Sequence, residues 1–271
     1  MHRRTALASA AVLTLIFAAG WALVRMRSDS SRVHWDDPVT GTRFRLLQPK
    51  TFMMGTPEHE ALREAQEVLH EVRLTRGFYI AETEVTQAQW ERVMYENPSR
   101  FKECGPDCPV ERVNWFDVQR FLSRLNATAG GGFRLPTEAE WEFACRGISS
   151  MPFGNSRSLS SALANINGHF PYNAPRGWHR RTTTRVRTFI SNWAGLFDMS
   201  GNVWEWVQDE LCPYGGGPAV DPVGACGSGR QVIRGGSWAF DGGSARCGTR
   251  YWHRPEDLGY SIGFRLVHDL F

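Results

Sequence analysis

Residues Gly195 to Trp206, with the sequence GLFDMSGNVWEW, are the most informative stretch of this chain. Its two glycines permit tight turns, and the carboxylates of Asp198 and Glu205 are oxygen ligands of the kind that Ca²⁺ prefers. Trp204 and Trp206 have period-2 spacing, so on an extended segment they share one face and Glu205 takes the other. The stretch therefore predicts a tight turn, with or without a calcium ion, that leads into a buried tryptophan-rich strand.

The composition is that of a globular protein. The chain has 271 residues, of which 42% are hydrophobic and 22% are charged, and these values argue against disorder. A net charge of +3 is too small to indicate a nucleic-acid partner. Eleven tryptophans and 27 glycines favour irregular, loop-dominated packing over a helical bundle.

The N-terminus carries a localisation signal. Two arginines precede an apolar run over residues 6–24, which is long enough to span a bilayer and also fits a long signal peptide. The run continues past a candidate cleavage site at residues 18–20, which favours an uncleaved anchor. We therefore expect residues 1–27 to be a signal anchor or signal peptide and residues 28–42 a tether. The domain would then lie in the periplasm or another extracytoplasmic space, attached to the inner membrane.

Cysteine usage agrees with that location. The chain has six cysteines, an even number, and disulfides persist outside the cytoplasm. Zinc is the competing interpretation, but no CxxC or HxxxH spacing accompanies the cysteines. Two pairs bracket short loops, and the remaining two cysteines are left for a long-range pair. The favoured pairs are Cys104–Cys108, Cys212–Cys226 and Cys145–Cys247.

The remaining pattern predicts one α+β domain over residues 43–271, with short strands, about three helices and much coil. Each helical segment begins at a residue that can cap it. Residues 148–192 show little periodicity and predict a long loop, and residues 263–267 predict a closing strand. The expected capping residues are Thr86, Asn114 and Thr137.

Several short motifs occur in an order typical of one family. They are FMMG at 52–55, EVT at 84–86, PVE at 109–111, VNW at 113–115, RLPTEAEWE at 134–142, GNVWEW at 201–206, RGGSW at 234–238 and GFR at 263–265. Together they resemble the formylglycine-generating enzyme family, also called sulfatase-modifying factors. The resemblance implies a variant C-type-lectin-like fold with bound calcium. Its relatives include ergothioneine-type sulfoxide synthases and pyoverdine-maturation proteins.

The resemblance also implies a set of calcium ligands. A second family site begins at Ala164-Asn165-Ile166, but its downstream acidic stretch is replaced here by residues 175–181, which contain no carboxylate. We therefore expect one calcium site and treat Asn165 and Ile166 as a weak second one. The expected ligands of the first site are Asp198 and Glu205 through carboxylates, and Gly201 and Val203 through carbonyls.

The resemblance places the family's catalytic copper just after the Gly-Gly-Ser-aromatic turn, where two cysteines hold it. Thiolates are required because soft sulfur selects Cu(I). Here Phe240 stands at the first of those positions. Cys247 matches a structural cysteine of the vertebrate-type enzymes, and Cys145 matches its partner. The copper pair is therefore missing, and copper-dependent formylglycine formation is not expected.

Other residues offer only a weak catalytic site. Ser237 beside two glycines is a possible substrate contact, although a tight turn under Trp238 is the favoured interpretation. No three-histidine iron set, phosphate loop or Gly-x-Ser-x-Gly elbow is present. The weak groove candidates are Ser237, Asp241, Arg250, Trp252 and His253.

Three hypotheses follow. The first is a membrane-anchored domain without copper oxidase activity that binds, or assists maturation of, a peptide, protein or cell-envelope partner. The second is a copper-independent oxidative enzyme of the pyoverdine-maturation type. The third is a true formylglycine-generating oxidase with atypical ligands. Whether the chain is an enzyme is left open at this stage.

Overall fold

The structure, a computed structural model, describes residues 34–270. The helices are α1 (Gln87–Met94), α2 (Trp115–Ala129) and α3 (Glu138–Arg146). The strands are β1 (His34–Asp36), β2 (Arg43–Leu47), β3 (Lys50–Met54), β4 (His70–Leu74), β5 (Phe78–Ala81), β6 (Phe133–Arg134), β7 (Trp204–Glu210), β8 (Ala219–Val220), β9 (Gln231–Arg234), β10 (Tyr251–His253), β11 (Ile262–Phe264) and β12 (Val267–Asp269). The predicted α+β class with short strands and much coil is confirmed.

All three helices begin as predicted, in complete capping boxes. In each box the cap side chain accepts the backbone N–H of the third helical residue, whose own side chain accepts the cap N–H. The cap and its third residue are Thr86 with Gln89, Asn114 with Asp117, and Thr137 with Glu140. Gly130 ends α2 with φ 90°, a conformation that glycine adopts without strain.

The strands form three small sheets. The largest has the order β1-β2-β5-β12-β6, the second has the order β10-β9-β7-β11, and the third has the order β3-β4-β8. Strand β7 pairs antiparallel with β9 and parallel with β11, where Trp206 faces Phe264. The second sheet therefore places the GNVWEW motif beside the RGGSW and GFR motifs.

Two large apolar clusters lie on either side of β7. Trp204 and Trp206 are 1% and 0% exposed and belong to the first cluster, with α1 and α2. Trp141 of α3 belongs to the second cluster. Its indole N–H donates to the carboxylate of Glu205, on the opposite face of β7. The alternation predicted from the sequence is thus present in the structure.

The first strand of the structure lies before residue 43, where the sequence predicts that the domain begins. Residues 34–36 form β1, which pairs with β2, and Trp35 packs on Phe44 at 5.1 Å between ring centroids. The end of the predicted tether is therefore part of the domain. The predicted anchor, residues 1–27, lies outside the described residues. Within residues 34–270, no helix is both long and apolar enough to cross a membrane.

The predicted closing strand at 263–267 is two strands in different sheets. Strand β11 pairs with β7, whereas β12 pairs with β5 and β6. The chain changes sheets at Arg265, whose side chain is 0% exposed and donates to Glu205. Between β11 and β12, the chain is thus held by the buried ion pair of Arg265 with Glu205 instead of by strand pairing. Residues 148–192 contain no helix or named strand, as predicted.

Candidate functional site

The turn before β7 is tight, as the glycines predict. Gly201 has φ 93°, and a Cβ there would lie 2.6 Å from the carbonyl oxygen of Asn165, so a larger residue is excluded. Asp198 and Asn202 also have positive φ, 58° and 61°, which Asp and Asn tolerate better than most residues. The turn brings the loop around residue 165 against the strand.

Asn202 is the hub of this turn, and it is a residue that the sequence reasoning missed. Its Nδ2 donates to Glu84 Oε2 at 2.9 Å, and its Oδ1 accepts from Asn165 Nδ2 at 3.1 Å and from the Thr184 N–H at 2.9 Å. Asn202 is 0% exposed, and buried polar groups are normally bonded in this way. The available signal was its place inside the GNVWEW motif.

Glu205 is bound by protein donors. Its two oxygens accept from Arg265 at 2.6 and 2.9 Å, and Oε2 also accepts from Trp141 Nε1 at 2.6 Å. Both Glu205 and Arg265 are almost fully buried, so this is a desolvated, bidentate ion pair. Its first role is to hold β7, α3 and the β11–β12 corner together.

The charge around the turn nevertheless fits a cation. The carboxylates of Glu84, Asp198 and Glu205 are all buried, and Arg265 is the buried cation that faces them. Burial and the neighbouring carboxylates raise the pKa of Glu84 well above its usual range, and burial raises that of Asp198 to about 6. Asp198, with the Gly201 and Val203 carbonyls, would hold the ion, and Glu84 would add charge that sequence reasoning did not include.

The weak second site lacks a carboxylate, as expected. Asn165 Nδ2 donates to the Thr182 carbonyl and to Asn202, while its buried Oδ1 accepts no hydrogen bond from any residue between 34 and 270. Ile166 is buried in a small apolar cluster. The chain that returns past this loop contributes His179 and Arg181, which are basic or neutral. One free amide oxygen without an acidic partner is a poor set for Ca²⁺.

All six cysteines form disulfides. They pair as the sequence predicts: Cys104–Cys108, Cys145–Cys247 and Cys212–Cys226. Since the chain has no seventh cysteine, no thiolate pair remains for Cu(I).

The copper position is filled by aromatic packing. Phe240 packs edge-on against Trp204, with 5.4 Å between ring centroids, and it also contacts the ring of Tyr251 at 6.1 Å. Phe240 is partly buried against the first apolar cluster. This position can bind apolar surface, but it offers no metal ligand.

Within residues 34–270 a single group of three potential metal-ligand side chains occurs, formed by Glu210, Cys212 and Cys226. Both sulfurs of that group are in a disulfide, so it holds no thiolate.

The five groove candidates do not converge on one site. Ser237 is 0% exposed, and its hydroxyl accepts the Ala239 N–H, which makes it a turn residue. Asp241 accepts from the backbone N–H and the hydroxyl of Ser244, in a short 3₁₀ turn. Both side chains are therefore engaged in local hydrogen bonds.

The other three candidates lie on or before β10 and point to different places. Arg250 is buried and forms a bidentate ion pair with Glu138 at 2.7 and 2.8 Å. Trp252 lies under the guanidinium of Arg230. His253 bonds to Asp257 and packs edge-on against a β7 tryptophan, so it lies on the face opposite to that of Trp252.

A more coherent surface surrounds Trp238, and we call it the Trp238 face. It consists of Trp238, Phe101, Tyr260, Arg100 and Arg112. The ring of Phe101 packs edge-on against Trp238 at 5.4 Å, and Trp238 Nε1 donates to the Tyr260 carbonyl at 3.2 Å. The two exposed guanidiniums lie 5.1 and 5.8 Å from the Tyr260 ring centroid. Aromatic rings with arginines are typical of binding surfaces.

A buried carboxylate lies behind the Trp238 face. Glu111 is 0% exposed, and its Oε1 accepts the Phe101 N–H at 2.8 Å, whereas Oε2 has no hydrogen-bond partner in the described part of the chain. Burial raises the pKa of Glu111 to about 7. A carboxylate that exchanges its proton near neutral pH is suited to act as a general base.

Comparisons with known proteins identify the relatives. The chain is 33% identical to a formylglycine-generating enzyme of Streptomyces coelicolor, covering 60% of this chain and 54% of that one. It is 31% identical to a hercynine oxygenase of Mycolicibacterium smegmatis, covering 62% of this chain and 39% of that one. It is 33% identical to the chaperone protein LppX of Paenibacillus barcinonensis, covering 70% and 79%. The chain spans about half the length of the formylglycine-generating enzymes that it matches.

The fold agrees with these relatives. The solved structure of PvdO from Pseudomonas aeruginosa superposes with a TM-score of 0.75 at 27% identity, covering 88% of this chain and 98% of that one. The family model for a sulfatase-modifying factor enzyme 1-like domain matches residues 33–270. The chain therefore belongs to the formylglycine-generating enzyme-like family of sulfatase-modifying factor domains.

Proposed function

We propose that this domain binds, or assists maturation of, a peptide, protein or cell-envelope partner, and that it does so without copper oxidase activity. The observation that carries the proposal is the combination of Phe240 at the copper position with six cysteines in disulfides. The family's oxidation needs two thiolates, and this chain has none to offer. The relative named as a chaperone, which this chain matches over most of its length, supports the same function.

The Trp238 face is the binding surface in this proposal. Tyr260 is 51% exposed, and Arg100 and Arg112 lie exposed beside its ring. Such a surface suits an extended polypeptide segment with acidic or aromatic side chains, because arginines pair with carboxylates and rings supply contact area. The apolar run at residues 6–24 and the disulfides support an anchored domain outside the cytoplasm.

The lost oxidase activity has a direct test. The purified full chain is incubated with a Cys-x-Pro-x-Arg peptide, oxygen and Cu(I), and the peptide is analysed by mass. We expect no aldehyde product, with a genuine formylglycine-generating enzyme as the positive control. A clear product would overturn the proposal and favour an oxidase with atypical ligands.

Binding has a separate test. Peptides are selected by phage display on the full chain, and the affinities of the selected peptides are then measured for two variants. We expect Tyr260→Ala to weaken binding by about tenfold, the effect of losing one central aromatic contact. Tyr95→Ala is the matched control, since Tyr95 is 85% exposed and lies at the end of α1. Equal loss in both variants, or no selected peptide, would contradict the assignment.

Copper-independent oxidation is the second candidate. Glu111 favours it, because perturbed carboxyl pKa values cluster at functional sites, and the Glu111 carboxyl, with a pKa of about 7, lies behind the Trp238 face. The likeness to a hercynine oxygenase favours it as well. Metal analysis and a visible spectrum of the isolated protein test this candidate. A stoichiometric redox centre would favour oxidation, whereas a protein without one would favour binding.

We also propose one calcium ion, held by Asp198 and by the carbonyls of Gly201 and Val203, as a structural ion. Glu205, whose oxygens accept from Arg265 and Trp141, would add negative charge rather than a ligand. Its support is the surplus of buried carboxylates over buried cations at the turn. Its role is to fix the turn that leads into β7, and chelation tests it below.

A further inference from the structure

A second concave site, lined by none of the five residues of the Trp238 face, lies under the loop that the Cys212–Cys226 disulfide closes. We call it the Tyr214 cavity, after the ring that lines it. It has a volume of about 440 Å³, and its lining includes His70, Asp209, Tyr214 and Arg250. The volume is within the range of cavities that bind small molecules.

The loop over this cavity is held in place at several points. Strand β8 within the loop pairs in parallel with β4, where Ala219 lies opposite Val72. Just beyond it, Asp221 accepts the Thr75 N–H at 2.8 Å. Between the disulfide and β8 runs a glycine segment, and a Cβ added at Gly215 or Gly217 would meet no other atom within 4 Å. One side of the cavity, at β8, is therefore held in place, and the glycine segment at residues 215–217 borders open space.

His70 presents a hydrogen-bond acceptor to the cavity. Its side chain is buried, with the residue 6% exposed, and Nδ1 lies 2.9 Å from the Val68 carbonyl oxygen. A carbonyl can only accept, so Nδ1 carries the proton of the neutral ring and Nε2 keeps a lone pair. Nε2 has no hydrogen-bond partner among residues 34–270.

Tyr214 supplies a second polar atom without a partner. Its hydroxyl oxygen is buried and makes no hydrogen bond within the described part of the chain. The ring packs on His70 at 4.7 Å between centroids, and Arg250 covers it at 3.8 Å. A buried hydroxyl left without a partner costs about 1–3 kcal/mol, which a ligand donor or acceptor would recover.

The charge around the cavity is negative. Arg250 is already paired with Glu138, which leaves that pair neutral. Asp209 is 4% exposed and accepts two backbone N–H groups, from Glu138 and Gly224. Neither Asp209 nor Glu210, which also lines the cavity, has an ion-pair partner within residues 34–270. Burial, together with the charge of the neighbouring Glu138, raises the pKa of Asp209 to about 7.

We propose that the Tyr214 cavity binds a primary ammonium group carried on a short apolar body. The ammonium would donate to His70 Nε2, to the Tyr214 hydroxyl and to the Asp209 carboxylate, which are all acceptors. The apolar body would pack on Met54, Ala139 and the prolines of the loop. An anionic ligand would meet unpaired carboxylates and is excluded. The site differs from the Trp238 face and does not depend on the function proposed there.

The test uses benzylamine as the probe and the full chain, titrated by calorimetry at pH 7.5. Benzyl alcohol and benzoate have the same ring without the positive charge. We expect saturable 1:1 binding of benzylamine, binding of benzyl alcohol weaker by about tenfold or more, and no binding of benzoate. Equal affinity for benzylamine and benzyl alcohol, or no binding of benzylamine up to millimolar concentrations, would overturn the proposal.

Variants locate the site. Asp209→Asn should weaken benzylamine binding by about tenfold, and Tyr214→Phe by severalfold, because each removes one contact to the ammonium. Asp107→Asn is the matched control, since Asp107 is an exposed carboxylate paired with Arg185 far along the chain. Circular dichroism verifies the folding of each variant. An unchanged affinity in a folded Tyr214→Phe variant, together with one in Asp209→Asn, would exclude this cavity.

A last arm separates the two sources of an ammonium group. The peptide Gly-Lys-Gly with blocked ends competes with benzylamine if the cavity takes a lysine side chain. If it does not compete while benzylamine binds, the cavity takes a free small amine.

Discussion

The Glu205–Arg265 ion pair and the Trp238 face both combine arginine, carboxylate and aromatic groups, but they hold their charges in opposite ways. Arg265 is buried and bidentate on Glu205, under Trp141. On the face, Arg100 and Arg112 are exposed, and their guanidiniums lie beside the ring of Tyr260. Charges that are desolvated and paired fix a geometry, whereas exposed ones remain available to a partner. Most of the motifs that identify the family therefore build its interior, whereas RGGSW ends at Trp238 on the proposed binding surface.

If the buried interior provides most of the stability of the domain, its long-range disulfide should have the largest effect on the free energy of unfolding. Replacing Cys145 and Cys247 by alanine opens a loop of 102 residues, which costs about 4.7 kcal/mol in the chain-entropy model. Replacing Cys212 and Cys226, separated by 14 residues, should cost about 3 kcal/mol. Urea unfolding measures both. A larger loss for the shorter loop would contradict this ranking.

The next largest effect is expected at the ion pair. Arg265→Met leaves Glu205 buried without its cation, beside Glu84 and Asp198, and should lower the free energy of unfolding by about 3–5 kcal/mol. Arg43→Met is the matched control, because Arg43 pairs with Asp36 at the surface and its loss should leave the free energy of unfolding nearly unchanged. Similar losses of unfolding free energy in the two variants would show that the buried ion pair contributes no more to stability than the exposed one.

Removing calcium tests whether a bound ion stabilises the interior in addition to the disulfide and the ion pair. A chelator should lower the free energy of unfolding by about 2.7 kcal/mol, if the ion is present at a hundred times its dissociation constant. Asp198→Asn should abolish that response while keeping an oxygen to accept the Arg187 N–H. Calorimetric melting with and without chelator measures it. A melting temperature unaffected by chelation would count against the ion.

The pH dependence of the free energy of unfolding should be a smaller effect. It comes from Glu111, a buried residue that lies behind the Trp238 face. Glu111 has a folded pKa of about 7, above its ordinary value of 4.5, so between these values the folded state holds a proton that the unfolded state releases. Its contribution is therefore full below pH 4.5 and is lost as the pH rises through 7, by about 1 kcal/mol. Glu111→Gln should flatten this part of the unfolding profile. A Glu111→Gln profile parallel to that of the unmodified chain would show that the carboxyl stays charged.

The smallest effect is expected on the face itself. Tyr260→Ala should change the free energy of unfolding by no more than about 0.5 kcal/mol, because the side chain is half exposed. The same variant should lose peptide binding. If it unfolds the protein instead, Tyr260 belongs to the scaffold.

Much of the fold was predictable because its signals are local. The capping boxes at Thr86, Asn114 and Thr137 follow from residues three apart, and the turn at Gly201 follows from a glycine beside paired tryptophans. The disulfides followed because six cysteines allow few arrangements once two short loops are assigned.

The site was less predictable because its contacts join distant segments. Glu84 and Asn202 meet only in the folded chain, and so do Glu111 and Phe101 with Trp238. The groove candidates lie close in sequence to Phe240, which stands at the copper position that the resemblance implies. Alternation along β10 then sends Trp252 and His253 to opposite faces. Sequence neighbours on a strand cannot all face one cleft.

The placement of β12 has a consequence for how the domain is made. This strand lies between β5 and β6, and its Val267 pairs with Ile80, so the middle of the largest sheet comes from the far end of the domain. Until those residues are available, β5 has an open edge and the early strands cannot close their sheet. A chain that is still being synthesised would therefore keep the β5 edge open, and remain vulnerable to aggregation, until residues 267–269 have been added.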